Sequence, residues 1–159
     1  MLRISLVAIA AALLGACGGT TPLSPEPVTA SQLASAPTRV VLDGKRLTLA
    51  ASLGRDFMPI SPPDGKPLTG VLRIKAEDGL TVPTTIVGDS AWVIRQVEIW
   101  STSVIPEPRE SSAASYDLRV TDGPKWNPGD TVDVVVRLRD SAGRTALLRA
   151  PDQTITASW

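Results

Sequence analysis

An alternation of apolar and polar residues over 131–139 constrains the fold of this chain more than any other feature. Aliphatic residues from Val132 to Leu138 occupy one parity, and charged or hydroxyl side chains hold the other, with Val135 as the exception. Successive side chains of a β-strand point to opposite faces, so this period of two predicts a strand with one buried face. Such a strand needs a second layer to cover that face.

Other segments repeat the alternation, and turn residues separate them. Four Asp-Gly pairs, which tolerate the positive φ of tight turns, lie at 43–44, 64–65, 78–79 and 122–123. We also expect Trp92 to Trp100 to form one strand with a bulge at Arg95, because Arg95 falls on its apolar parity. The remaining strand candidates are Leu47 to Leu53, Leu72 to Ala76 and Tyr116 to Val120.

The register of one hairpin follows from its apolar pattern. If Asp140 pairs with Arg144 across residues 141–143, three apolar pairs meet on one face. If Arg139 paired with Arg144 instead, these apolar pairs would be lost. This register predicts a three-residue loop with Gly143 in a left-handed conformation. The three pairs are Leu138 with Ala146, Val136 with Leu148, and Val134 with Ala150.

The pattern as a whole predicts an all-β fold, because no segment after residue 37 has the periodicity of an amphipathic helix. The stretch from Asn127 through Gly143 resembles the last hairpin of bacterial Ig-like and fibronectin type III-like domains. That resemblance implies an antiparallel Ig-like β-sandwich of seven to nine strands over residues 38–159. A small antiparallel β-barrel is the alternative.

The N-terminus has the order of features found in secretory signals. Arg3 precedes an apolar run that ends in Leu14, two small residues and Cys17, the only cysteine of the chain. The segment Leu14-Gly15-Ala16-Cys17 resembles the lipobox of bacterial lipoproteins. The resemblance implies a signal peptide over 1–16, lipid on Cys17 and attachment to a membrane in the bacterial cell envelope. In such lipoproteins, Asp directly after the cysteine favours the inner membrane. This chain has Gly18 at that position, so the resemblance also implies the outer membrane.

Residues 17–37 are rich in Pro, Ser, Thr and Ala, and this composition predicts a flexible linker. The linker would hold the domain some 60 Å from the membrane when fully extended. With its cysteine lipidated, the domain would form no disulfide and would depend on apolar burial alone.

Composition excludes most catalytic systems. The chain has no histidine, no phosphate-binding loop and no second cysteine, so Ser-His-Asp, Cys-His and P-loop chemistries are ruled out. A carboxylate pair such as Glu107 and Glu110, or calcium at strand-end aspartates, stays open, although Asp is also the usual turn former. We expect neither an enzyme nor a cofactor. The chain has 16 basic and 16 acidic residues, so no basic field for nucleic acid is expected.

Four residues are the best candidates for contact with a partner. Loops longer than ordinary hairpins often carry binding sites, and Phe57 and Met58 lie in one of them. An edge strand folded back on the sandwich is the alternative for this segment. Trp159, at the terminus, is the tryptophan most favourably placed for exposure. Trp100 is a further candidate, and packing in the core or at the edge of the sandwich is its alternative. We therefore expect a lipid-anchored, non-catalytic module that binds another envelope protein. A carbohydrate-binding or adhesive module is the alternative, and exposed aromatic side chains along a groove would favour it.

Overall fold

A computed structural model describes residues 27–159. This part of the chain contains one short helix, α1, over Ala30–Ala34, followed by nine strands. The strands are β1 Val40–Leu42, β2 Lys45–Asp56, β3 Leu68–Ala76, β4 Val87–Arg95, β5 Glu98–Ser103, β6 Ile105–Pro106, β7 Ser115–Gly123, β8 Thr131–Arg139 and β9 Thr145–Ser158.

The nine strands form one mixed sheet that is nearly closed into a barrel. Its order is β5-β4-β8-β9-β2-β3-β7-β6, and β1 pairs with the start of β2. The prediction of an all-β domain is confirmed, but the sheet is not wholly antiparallel. The last residues of β9 pair in parallel with the last residues of β2, from Leu53 with Ile155 to Asp56 with Ser158. This pairing joins the two halves of the sheet, which local sequence periodicity does not predict.

The alternating segments form strands with the predicted buried faces. In β8, Val132, Val134, Val136 and Leu138 are buried in the core that both halves of the sheet share. The hairpin between β8 and β9 has the predicted register, including all three apolar pairs. The amide of Asp140 donates to the carbonyl of Arg144 at 3.0 Å. The φ of Gly143 is +78°.

The predicted single strand from Trp92 to Trp100 is wrong. Residues 96 and 97 form a two-residue turn with Gln96 at φ +56°, so the segment is a hairpin of β4 and β5. Val93 therefore lies opposite Trp100 in the β4–β5 register. Trp92 belongs to an apolar cluster on the outer face, whereas Trp100 packs against the inner core. Neither Gln nor Val is a typical turn former, which is why the pattern concealed this turn.

Helix α1 lies within the segment predicted to be a flexible linker. Thr29 caps the helix, since its hydroxyl accepts from the amide of Gln32 at 3.2 Å. Leu33 is buried against Trp92 and Val135 on the outer face of the sheet. This contact explains why Val135 interrupts the alternation of β8. The C-terminal end of the predicted linker is therefore ordered, and the packed part of the domain begins at about Val28 rather than at Thr38.

The barrel has two ends, which we name by their residues. The hairpin end carries the 43–44 and 140–144 turns, which are joined by a hydrogen bond of 2.7 Å from the Ser141 hydroxyl to the Asp43 carboxylate. The Trp159 end carries the parallel termini of β2 and β9, the β4–β5 turn and the loop before β8. The strand β8, with nine residues, spans the distance between them, roughly 30 Å.

Candidate functional site

Three of the four predicted contact residues lie at the Trp159 end. Because β2 and β9 end side by side, their next residues emerge together, and the amide of Phe57 donates to the carbonyl of Ser158 at 2.8 Å. The rings of Phe57 and Trp159 are stacked, with centroids 4.9 Å apart and planes 25° from parallel. Met58 follows Phe57 and is 47% exposed. Two sequence-distant aromatic residues thus form one feature through the parallel pairing.

A buried arginine organises the chain beneath these rings. Arg55 lies on the inward parity of β2, is only 5% exposed, and donates to carbonyl oxygens from two loops. Its guanidinium carbon lies 4.8 Å from the centroid of the Phe57 ring, within cation–π range. The acceptors are the carbonyls of Asp64, Lys66 at 3.0 Å, Lys125 at 3.2 Å and Trp126 at 3.1 Å. Arg55 therefore ties the 57–67 loop to the 124–130 loop.

Ion pairs on the surface of this end reinforce the same connection. Lys125 lies 2.6 Å from Asp64, and the hydrogen bond from Lys125 lowers the pKa of Asp64 from its ordinary value. Lys66 lies 2.7 Å from Asp56 and lowers the pKa of that carboxyl in the same way. Both carboxylates are therefore ionised at neutral pH. Exposed pairs of this kind contribute little stability individually, so their main effect here is to position the loops.

The surface of this end combines exposed apolar groups with a polar cleft. Trp159 is 82% exposed and Ile60 is 91% exposed. An open cleft of about 620 Å³ lies beside Trp159. The cleft is lined by Arg55, Phe57, Asp64, Lys125, Asn127, Pro128 and Trp159. Apolar groups rimmed by polar ones are typical of a surface that binds a partner.

The structure places the fourth predicted residue, Trp100, elsewhere. It is half-buried on β5, where the barrel closes toward β7, and its ring lies so close to Gly123 that a Cβ there would be 2.7 Å from it. Trp100 also packs against the inner core. It fills the junction between the edges of the sheet and is separate from the surface formed by Phe57, Met58 and Trp159.

The organising role of Arg55 did not emerge from the sequence, although one signal was present. The inward parity that begins at Leu47 and continues through Leu53 next falls on Arg55. A charged residue on an apolar parity at a strand end indicates a buried hydrogen-bonding role, since a buried charge must be paired or hydrogen-bonded. Its acceptors are backbone carbonyls of two loops. The pattern of side chains in a sequence does not indicate where such carbonyls will lie.

Among residues 27–159, no three His, Cys, Asp or Glu side chains are grouped closely enough to hold a metal ion. Several strand-end aspartates instead make turn and ion-pair contacts; the carboxylate of Asp140, for example, accepts from the Ala142 and Arg144 amides at 3.0 and 2.9 Å. No helix in this part of the chain is long and apolar enough to cross a bilayer. Cys17 lies outside the described residues, so lipidation stays a prediction.

The fold and this surface define an all-β domain with a nearly closed, nine-stranded mixed sheet and an apolar, arginine-braced end. No protein-family model matches the sequence, and no curated protein matches it.

Proposed function

We propose that this protein is a non-catalytic binding module, anchored in a bacterial envelope by lipid on Cys17, that holds a protein partner at the Trp159 end of its barrel. The observation that carries the proposal is the exposure of Ile60 and Trp159 together at one end of the domain. Binding energy at protein interfaces is concentrated in such aromatic and aliphatic anchors. The lipobox resemblance supports the location in the bacterial envelope, and Gly18 favours the outer membrane.

The close packing around the Phe57 ring supports a binding role. A preformed surface loses less conformational entropy on association than a mobile one. Here the Phe57 ring is held between the Trp159 ring, the Arg55 guanidinium and the close backbone of Gly65, where a Cβ would lie 2.5 Å from the ring. The exposed face of Trp159 is thereby presented in a fixed position.

We further propose that the domain is a variant of the Ig-like sandwich. In the Ig fold, four strands in the order A-B-E-D face a sheet that contains C, F and G. The orders β2-β3-β7-β6 and β5-β4-β8-β9 match A-B-E-D and C′-C-F-G when the strands are lettered along the chain from β2 as A. This correspondence supports the resemblance of the β8–β9 hairpin to the last hairpin of Ig-like domains. Fold alone assigns no function, so the binding proposal depends on the Trp159 end.

Site-specific photo-crosslinking in cells tests the binding proposal. A photoreactive amino acid replaces Ile60 or Trp159 in the full chain, and the matched control replaces Val87, an exposed aliphatic residue at the hairpin end. We expect one discrete protein adduct from the first two positions and none from the control. The same adduct from all three positions, or none from either test position, would contradict the proposal.

A saccharide is the second candidate ligand, because the aromatic ring of Trp159 and the polar groups of Asp64 and Asn127 line the same cleft. Stacking on an aromatic ring beside hydrogen-bonding side chains is the chemistry that sugars require. Sedimentation of the purified protein with insoluble cell-wall polysaccharide separates the two candidates. Cosedimentation that Trp159→Ala abolishes, without a protein adduct in the crosslinking experiment, would favour the saccharide.

A further inference from the structure

We propose that residues 28–36 form a strap that opens and closes over an apolar slot on the outer face of the barrel, while the barrel itself stays folded. The slot consists of side chains on β4, β8 and β9, namely Trp92, Ile94, Val135 and Leu147. Opening of the strap requires neither lipid on Cys17 nor a partner at the Trp159 end. It is a conformational device that decides whether a second apolar surface of the domain is exposed.

The strap is held by few contacts. Of its nine residues, Leu33 and Ala36 are buried, Val28 is half-buried, and the other six are exposed. Among the described residues, a single hydrogen bond joins the strap to the barrel, from the guanidinium of Arg149 to the carbonyl of Ala34 at 2.6 Å. These contacts must offset the conformational entropy that nine residues lose when they dock. The docked state is therefore favoured only narrowly.

The strap also fits the sheet loosely. Two clefts flank Val28, one of about 340 Å³ over β9 and one of about 470 Å³ over β4 and β5. Protein cores are close-packed, so a segment with open space on both sides lacks many of the contacts that hold a core element. Helix α1, with five residues, is too short to be stable without its docking contacts. Once Leu33 leaves the slot, little within the strap keeps it in place.

Arg149 has a second acceptor that becomes available when the strap leaves. Its guanidinium lies 3.5 Å from the carboxylate of Asp133 while it donates to Ala34. Its Nε is buried and has no hydrogen-bond partner among the described residues. A buried charge left without a partner would be costly. Because Asp133 and water can replace the carbonyl of Ala34, opening of the strap avoids that cost.

Pro37 is the pivot at which opening ends. Its carbonyl accepts from the amide of Arg149 at 2.8 Å, and its ring fixes the backbone φ. Three residues later the chain enters β1, where Val40 pairs with Leu47. The chain is thus attached to the barrel from Pro37 onward, and the mobile part is confined to residues 28–36.

Thiol labelling of two neighbouring valines tests this inference. Val135 lies beneath the strap and Val136 lies in the barrel core, and both are 0% exposed. Each is replaced by Cys in the full chain that also carries Cys17→Ala, so each protein contains one thiol. The rate of reaction with a water-soluble disulfide reagent is measured in low concentrations of urea. Urea unfolding monitored by tryptophan fluorescence verifies that each variant is folded, and Val134→Cys replaces the core control if Val136→Cys is not.

We expect the Val135→Cys thiol to react at least about a hundred times faster than the Val136→Cys thiol, because local opening costs less than global unfolding. The first rate should hardly change with urea and the second should rise steeply, since only global unfolding exposes a large surface. Adding Leu33→Ala should speed the reaction of the Val135→Cys thiol by about tenfold or more. Adding Ser31→Ala, at an exposed position of the strap, should leave that rate unchanged.

Three results would overturn the inference. Equal rates for the two thiols, with the same dependence on urea, would mean that the strap leaves only when the barrel unfolds. A Val135→Cys thiol as reactive as one in the unfolded chain would mean that the strap does not cover the slot. A rate unaffected by Leu33→Ala would mean that Leu33 does not hold the strap. None of these results would bear on binding at the Trp159 end.

Discussion

Replacing Arg55 with Met removes the donors that join the two loops of the Trp159 end. Met keeps much of the length and apolar volume of the side chain but has no N–H group. The variant leaves four backbone carbonyls without their arginine donor. These are the carbonyls of Asp64, Lys66, Lys125 and Trp126.

The expected loss of stability follows from the burial of those carbonyls. The bond to Trp126 is buried, and an unsatisfied buried acceptor costs about 1–3 kcal/mol. The other three bonds are partly buried, so water can replace each at a net loss of about 0.5 kcal/mol. The cation–π contact with Phe57 adds about 0.5–1 kcal/mol. The free energy of unfolding should therefore fall by about 3–5 kcal/mol.

Urea unfolding of the soluble Cys17→Ala protein, followed by tryptophan fluorescence, measures this loss. Arg46→Met is the matched control, because Arg46 is exposed and its ion pair with Glu77 is long, at 3.5 Å. This variant should change the free energy of unfolding by less than about 0.5 kcal/mol. A loss below about 1 kcal/mol for Arg55→Met, or one equal to the control, would refute the hydrogen-bonding role of Arg55.

Four further predictions concern other parts of the chain. Leu33→Ala should destabilise the docked α1 segment by about 2–4 kcal/mol through lost apolar burial and should expose residues 28–37 to limited proteolysis. Gly143→Ala should reduce the free energy of unfolding by about 1 kcal/mol, since its φ of +78° disfavours a side chain. The melting temperature should be flat between about pH 5 and 8 because the chain has no histidine, and should fall below about pH 4. That fall follows because Asp56 and Asp64 have pKa values lowered by folding, so the unfolded chain binds more protons there. Cys17→Ala should move the protein from the membrane to the soluble fraction.

Each of these predictions has a control or a contradicting result. Ser31→Ala, at an exposed position of α1, should leave the protease sensitivity of residues 28–37 unchanged. A Gly143→Ala protein as stable as the parent would remove the argument from positive φ. A stability maximum near pH 3 would show that the sign of the carboxylate linkage is wrong. Cys17→Ala protein that still sediments after carbonate washing would count against the lipid anchor.

Features set by local pattern were predictable from the sequence. The buried face of β8 and the register of its hairpin with β9 follow from aliphatic residues at a period of two, and a one-residue slip would have turned that face outward. The Asp-Gly turns at 43–44, 64–65 and 78–79 were also predictable, since each contains a residue at positive φ. The predicted turn at 122–123 is wrong, because Asp122, at φ +63°, lies within β7 at a bulge where the pairing with β3 shifts register between Leu68 and Gly70.

Features set by distant contacts were not predictable in this way. The parallel pairing of β2 with β9 brings Phe57 beside Trp159, although about a hundred residues separate them in sequence. Helix α1 is too short to show a period, and it is stabilised by docking on Trp92 rather than by its composition. The candidate site could therefore be predicted as separate residues but not as one surface.

The affinity of the crosslinked partner, once identified and purified, tests the binding proposal most directly. The partner is titrated with the soluble parent protein and with three variants. Ile60→Ser and Trp159→Ala change the Trp159 end, and Val87→Ser is the control at the hairpin end. We predict that each of the first two variants raises Kd by about tenfold or more, which corresponds to about 1.4 kcal/mol, and that Val87→Ser leaves it unchanged. Equal affinities for all the variants, or a loss confined to Val87→Ser, would contradict binding through the Trp159 end.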